Sequence, residues 1–274
     1  MLDTISSSPR SPIRMTTHFG SSFFERFSLE LATSDALRAE SYRLRHRIYV
    51  RELQYERAED FPHGLEFDAW DERALTVLLR HRASRQFIGC VRLITADPDD
   101  PAQPFPFETT AGEHLPQAAQ GPQRNLGTAP RKRIGEVSRL AIVREFRRRC
   151  DDNDPDLAPY LDPSGAGPDR RSSERVPPAL GLIFSATWLG IEIGLEAVFV
   201  IMELRLARLL RSLGLHFTQI TEPVQFRGLR AAFEIRREAL LGDLAPPLRD
   251  ILDLVRSRVL ALAPERAVLA PVPA

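Results

Sequence analysis

Glu136 and Ser138 lie two positions apart in Ile134-Gly-Glu-Val-Ser-Arg-Leu-Ala-Ile-Val143, a run whose alternation at its start predicts a β-strand. On a strand that spacing sends both side chains to one face, and Arg139 to the other. A carboxylate so placed can accept a proton, directly or through a water. A neighbouring hydroxyl can contact a reacting carbonyl or a departing group. Two opposite-charge sets precede the strand: Arg45 and Arg92, with Asp68 and Asp71. Asp68 and Asp71 are three residues apart, so one helical turn would let both reach a common arginine. Directly after the strand come Arg144, Arg147, Arg148 and Arg149. This run is either a solvated charged face or a binding surface, cradling a phosphate at a helix N-terminus or meeting an acidic partner. Arg131-Lys132-Arg133 carries the same two readings.

The elements that must hold these residues follow from periodicity. Residues 35–54 have helical spacing, with Ser34 or Asp35 as cap. Strands are expected at Ala74–Leu79 and Phe87–Ala96, joined by a turn near Ala83–Arg85. Pro178–Leu195 is apolar nearly all round and reads as a buried helix. Ala197–Met202 reads as a strand running into a helix over Glu203–Leu213, stopped by Gly214. Further strands are expected at Thr218–Val224 and about Ala231–Arg237, and an amphipathic helix at Pro247–Leu262. Residues 97–130 should form an irregular insert with a short helix, and 151–176 a mobile loop. Residues 1–20 read as disordered and 263–274 as a flexible tail. One α/β domain over 21–262 accounts for this pattern, a mixed sheet with helices on its faces.

Bulk properties narrow the chemistry. The 274 residues carry 37 basic and 37 acidic side chains, so no global field favours nucleic acid. Lys132 is the only lysine; the other basic groups are arginine forks suited to carboxylates and phosphates. Cys90 and Cys150 have no ligand spacing and no disulfide framework, and the six histidines are scattered, so no metal site is expected. No apolar run is long enough for a membrane span, and the N-terminus lacks a signal-peptide core, which predicts a cytoplasmic protein. There is no nucleophile elbow, P-loop or dinucleotide fingerprint.

Four clusters, taken in order, resemble the acyl-homoserine-lactone synthases. They are Arg45, Tyr49 and Tyr55 in the 44–55 segment; Asp68 and Asp71 in Glu66-Phe-Asp-Ala-Trp-Asp71; Arg92 in Gly89-Cys-Val-Arg-Leu93; and Glu136-Val-Ser-Arg139. The segments 202–210 and 222–230 are similar to one branch of that superfamily. This is the acyltransferase associated with PEP-CTERM/exosortase systems, grouped with N-acyl amino acid synthases. The resemblance implies a GNAT-like three-layer fold: a central mixed, mostly antiparallel sheet with a cleft where two strands splay, and helices on both faces. It implies an acyltransferase with Glu136 as base and Ser138 beside the thioester. Arg45, Tyr49, Tyr55, Asp68, Asp71, Arg92 and Arg139 would serve the substrate or donor site, and Arg147 and Arg148 the donor's phosphopantetheine. No tightly bound cofactor is implied.

The missing glycine-rich pyrophosphate loop after Val143 favours acyl carrier protein over coenzyme A as donor. The acceptor would be the amine of an amino acid or a similar small amine. Two alternatives stay open: a lactone synthase using S-adenosylmethionine, and a catalytically silent GNAT-like binding module. The 180–195 helix and the 197–202 strand are the expected lining of an acyl pocket.

Overall fold

The computed structural model describes residues 23–116, 129–147, 178–212, 214–243 and 246–260. The expectations for 1–20, 151–176, 263–274 and most of 117–130 lie outside the described residues, as does Arg148.

Among the described residues, eight strands form one sheet: β1 (Phe27–Leu31), β2 (Ala74–His81), β3 (Phe87–Thr95), β4 (Ile134–Ile142), β5 (Ala197–Glu203), β6 (Thr218–Gln219), β7 (Val224–Gln225) and β8 (Leu229–Arg236). Their order is β1-β2-β3-β4-β5-β8-β6, with β7 also on β8. Every pairing is antiparallel except β4 with β5. That parallel pairing lasts only from Ile134/Ala197 to Glu136/Phe199, after which the two strands part.

Among the described residues, six α-helices of six or more residues accompany the sheet: α1 (Asp35–Arg45), α2 (Pro106–Ala111), α3 (Pro178–Glu192), α4 (Leu204–Ser212), α5 (Arg237–Asp243) and α6 (Pro246–Leu260). Strand β5 shows how both faces are covered. Ala197 and Phe199 pack with Phe105 and Phe107 from the α2 region, whereas Val198, Val200 and Met202 join the cluster that contains Leu182, Ile183 and Leu189 of α3. Phe107 and Phe199 stack with centroids 4.6 Å apart. Among the described residues, no helix is long and apolar enough to cross a membrane.

Ser34 caps α1 by accepting from the Leu37 amide, as its type predicts. The predicted 35–54 helix changes character at His46, where the chain widens into i→i+5 turns through Glu52. Such turns recur at functional sites. The strand expected over Thr218–Val224 is instead two short pairings, β6 and β7, on either side of Thr221. The Thr221 hydroxyl takes the Ala232 amide in place of a ladder bond. β1 and α5 were not expected. Gly89 lies where a Cβ would sit 2.8 Å from the Ala141 carbonyl oxygen and 2.5 Å from Ile142, so only glycine lets β3 and β4 approach this closely.

Candidate active site

Four segments converge on a buried ionic cluster. The Asp68 side chain caps the turn Ala69–Arg73, and the Asp71 carboxylate bonds back to the Asp68 amide at 2.9 Å. That turn brings both carboxylates to Arg92, whose Nη1 lies 2.6 Å from Asp68 and 3.0 Å from Asp71. Arg45, fully buried at the end of α1, donates to both oxygens of Asp71 at 2.6 and 3.0 Å and, through Nε, to Glu66. Glu66 also accepts two bonds from Arg139, at 2.8 and 3.1 Å. Burial opposes the charges of Arg45, Glu66, Asp71 and Arg139, but their partners outweigh it. Glu66 and Asp71 are held below the usual carboxylate range by the guanidiniums, and Arg45 and Arg139 above the usual arginine value by the carboxylates.

Arg139 departs from the simple alternation. Ser138 pairs with Arg92 and Ala141 with Cys90, so Arg139 and Leu140 together face Val91. This is a β-bulge, and Arg139 adopts φ +51° at it. A non-glycine residue there costs on the order of 1–3 kcal/mol; the bonds to Glu66 and Asp68 offset it. The expectation that Arg139 faces away is therefore corrected. The bulge lets it line the same chamber as Glu136 and Ser138.

Glu136 is buried at the last paired position before β4 and β5 separate. Its Oε2 accepts the Phe107 amide at 2.8 Å. Burial pushes its pKa up to about 8, against the pull of the Phe107 amide, Arg92 and Arg139. At neutral pH its carboxyl is mostly protonated. Ser138 Oγ accepts from Arg92 Nε at 3.0 Å. One of its two lone pairs is thereby engaged, and its own proton points elsewhere.

Two cavities occupy the splay. One, about 150 Å³, is largely apolar and lies between α3 and β5, lined by Ile183, Ala186, Gly190, Val198 and Val200. This is the lining expected for an acyl chain. The other, about 130 Å³, holds Glu136, Ser138, Arg139, Tyr55, Arg227 and Arg230. Tyr49, Val137, Ser138 and Leu140 border both. Tyr49 is buried, donates to the Leu140 carbonyl at 3.2 Å, and stacks with Tyr55 at 6.5 Å. Burial raises its pKa to about 12, so it stays neutral.

The arginine run after β4 is not at a helix N-terminus among the described residues. Arg144–Phe146 forms a single turn, and Arg147 pairs with Glu52, which also receives the Arg144 amide. Arg131 is held by Glu108 and the Gln103 carbonyl, and Arg133 by Glu196. Sequence reasoning gave no role to Glu66, Glu56, Arg227 or Arg230. Glu66 stood two positions before Asp68 within a quoted motif, and the last two stood in the 222–230 segment.

Residues 44–151 match the family described as acetyltransferase (GNAT) domain. Among curated proteins, none matches this chain. Among solved structures, the chain is similar to BjaI, a CoA-dependent acyl-homoserine lactone synthase solved with SAM and isopentyl-CoA. Identity is 21% and the TM-score 0.51, covering 83% of this chain and 90% of that one. It is also similar to the AHL synthase LasI, at 14% identity and a TM-score of 0.50 over 80% of this chain and 96% of that one. FeeM, an N-acyl amino acid synthase from uncultured soil microbes, has 14% identity and a TM-score of 0.48, over 86% and 97%. The fold of this chain is GNAT-like.

Proposed function

We propose that this chain is an N-acyltransferase that moves a fatty acyl group from a thioester onto the amine of an amino acid or similar small molecule. The observation that carries the reading is the meeting of an apolar cavity and a polar chamber at Ser138 and Leu140, with Glu136 in the polar one. The acyl tail occupies the apolar cavity, and the thioester carbonyl lies at the junction. The amine nitrogen attacks the carbonyl carbon. As the C–N bond forms, Glu136 takes the surplus proton from the nitrogen. The C–S bond then breaks, and the departing thiolate receives a proton, relayed by Ser138. A base near pKa 8 is stronger than an ordinary carboxylate and better matched to an ammonium. Because burial raises the Glu136 pKa, turnover should rise with pH through about 8. Arg45, Asp68, Asp71 and Arg92 hold Ser138 and the bulge in place rather than touching the reacting atoms.

We assign acyl carrier protein as the donor, because arginines rather than a glycine-rich loop follow β4. On segments 202–210 and 222–230 we place the chain beside the PEP-CTERM/exosortase-associated acyltransferases. The test is mass spectrometry of lipid extracts from an overexpressing host, with thiol release by purified protein supplied with acyl thioester and amino acids. An acyl-amino acid product is expected. An acyl-lactone would replace the acceptor with S-adenosylmethionine, and no acyl product in either assay would leave a non-catalytic module.

A further inference from the structure

The polar chamber contains more positive charge than the chemistry above uses. Its lining includes Arg139, Arg147, Arg227 and Arg230, with Glu136 as the acid. Three of the four guanidiniums are committed. Arg139 is held by Glu66 and Asp68, and Arg147 by Glu52, although its enclosed Nε has no partner among the described residues. Arg227 pairs with Glu56 and lies over the rings of Tyr55 and Phe226, 5.6 and 4.9 Å from their centroids.

Arg230 differs. It opens the chamber side of β8, paired across the ladder with Glu203. Among the described residues its one ion pair is a single contact from Nη2 to Glu203 at 3.3 Å. Its Nε is enclosed and has no hydrogen-bond partner among the described residues. A buried N–H without an acceptor is costly, and a ligand oxygen would relieve it. Arg230 also borders both cavities, so it sits beside their junction.

We propose that Arg230 is the carboxylate-binding residue of the acceptor site, so that the acceptor is an α-amino acid with a free carboxylate; this rests on the N-acyltransferase reading. In such an acceptor the amine and the carboxylate share one carbon. The base and the carboxylate partner must therefore occupy one chamber, as Glu136 and Arg230 do. A guanidinium grips a carboxylate with two parallel bonds. The donor's phosphate is a poorer fit, because the whole pantetheine arm separates it from the reacting sulfur. Arg227 acts as a positioning residue. Together with Gly228 (φ +103°) it forms the turn that delivers Arg230 to β8.

The test uses the full chain and the product pair N-dodecanoylglycine and its methyl ester, which differ only in the free carboxylate. Calorimetric titration of wild type should give tighter binding of the acid. Arg230→Gln should weaken the acid by about 10- to 100-fold, the range for a lost charged hydrogen bond, and leave the ester within about threefold. Arg230→Lys, which keeps the charge without the fork, should fall between, and thermal midpoints report whether each variant is folded. In steady state, Arg230→Gln should raise the acceptor KM and not the donor KM. Equal loss of acid and ester, no preference in wild type, or a raised donor KM instead would overturn the assignment. A wild type that acylates amines but ignores the carboxylate removes this inference and leaves the function standing. A wild type that acylates no amine removes both.

Discussion

Replacing Glu136 by glutamine should change stability and turnover in opposite directions, and the size follows from its surroundings. The carboxyl is buried and its pKa stands at about 8, against an ordinary 4.5. In the unfolded chain it ionises near 4.5; in the fold it does not until about 8. The native state therefore keeps its full share of stability below pH 4.5. It loses about 1.4 kcal/mol per unit as pH rises to 8, then levels off. The interval of some three to four units sets an upper bound on the order of 5 kcal/mol, and relaxation around the charge will reduce it. Glutamine cannot ionise, and its carbonyl can still accept the Phe107 amide. Urea midpoints of the two proteins should converge near pH 4.5 and separate towards pH 8, with Glu136→Gln the more stable. Turnover of the same variant at pH 8 should fall by about 10²–10⁴-fold if Glu136 is the base. Parallel stability curves would refute the buried neutral carboxyl. A folded variant within a few-fold of wild-type turnover would remove Glu136 from the chemistry.

Arg45→Met should cost about 3–5 kcal/mol in urea denaturation, because Glu66 and Asp71 are left buried without their shared partner; a loss below about 1 kcal/mol would mean the cluster is hydrated. Gly89→Ala should cost about 1–3 kcal/mol by overpacking against the Ala141 carbonyl, and an unchanged melting temperature would contradict the close approach of β3 and β4. Ala186→Leu adds three carbons to the wall of the apolar cavity, so kcat/KM should fall for long acyl donors and hold for short ones, each excluded methylene being worth about 0.8 kcal/mol; a uniform fall across chain lengths would place the tail elsewhere. Arg147→Glu combined with Arg148→Glu should raise KM for acyl carrier protein far more than for acyl-CoA and flatten its ionic-strength dependence, whereas equal effects would favour coenzyme A.

Much of this arrangement was legible in the residues because it rests on local rules. A helical turn at Asp68 and Asp71 would let both reach a common arginine, and the turn Ala69–Arg73 places both on Arg92. The apolar character of 178–195 required burial, and that helix walls the apolar cavity. β1 was missed although Phe27, Leu29 and Leu31 alternate with Ser28 and Glu30; it is a five-residue edge strand whose meaning comes from β2. Non-local features were less accessible. Strict alternation sends Arg139 away from Glu136, and only the mismatch of β4 against β3 reverses it. The partners of Arg147, Arg227 and Glu66 come from distant segments, and charge type alone does not choose among 37 arginines and lysines and 37 acids.

The ionic cluster also bears on the order of events in folding. It joins Arg45 to Asp71 across 26 residues and Arg139 to Glu66 across 73. Closing the longer loop costs little more than closing the shorter, since the entropy grows only with the logarithm of length. The steep step is dehydration: no guanidinium or carboxylate of the set gains by leaving water until its counterparts have arrived. The sheet must therefore bring β4 against β3 while these side chains are still hydrated, and the cluster locks afterwards as one cooperative unit. Amide exchange should accordingly be slower in the paired centres of β2 and β3 than at Glu66–Asp71, so that the site is the last part of this region to form and the first to open.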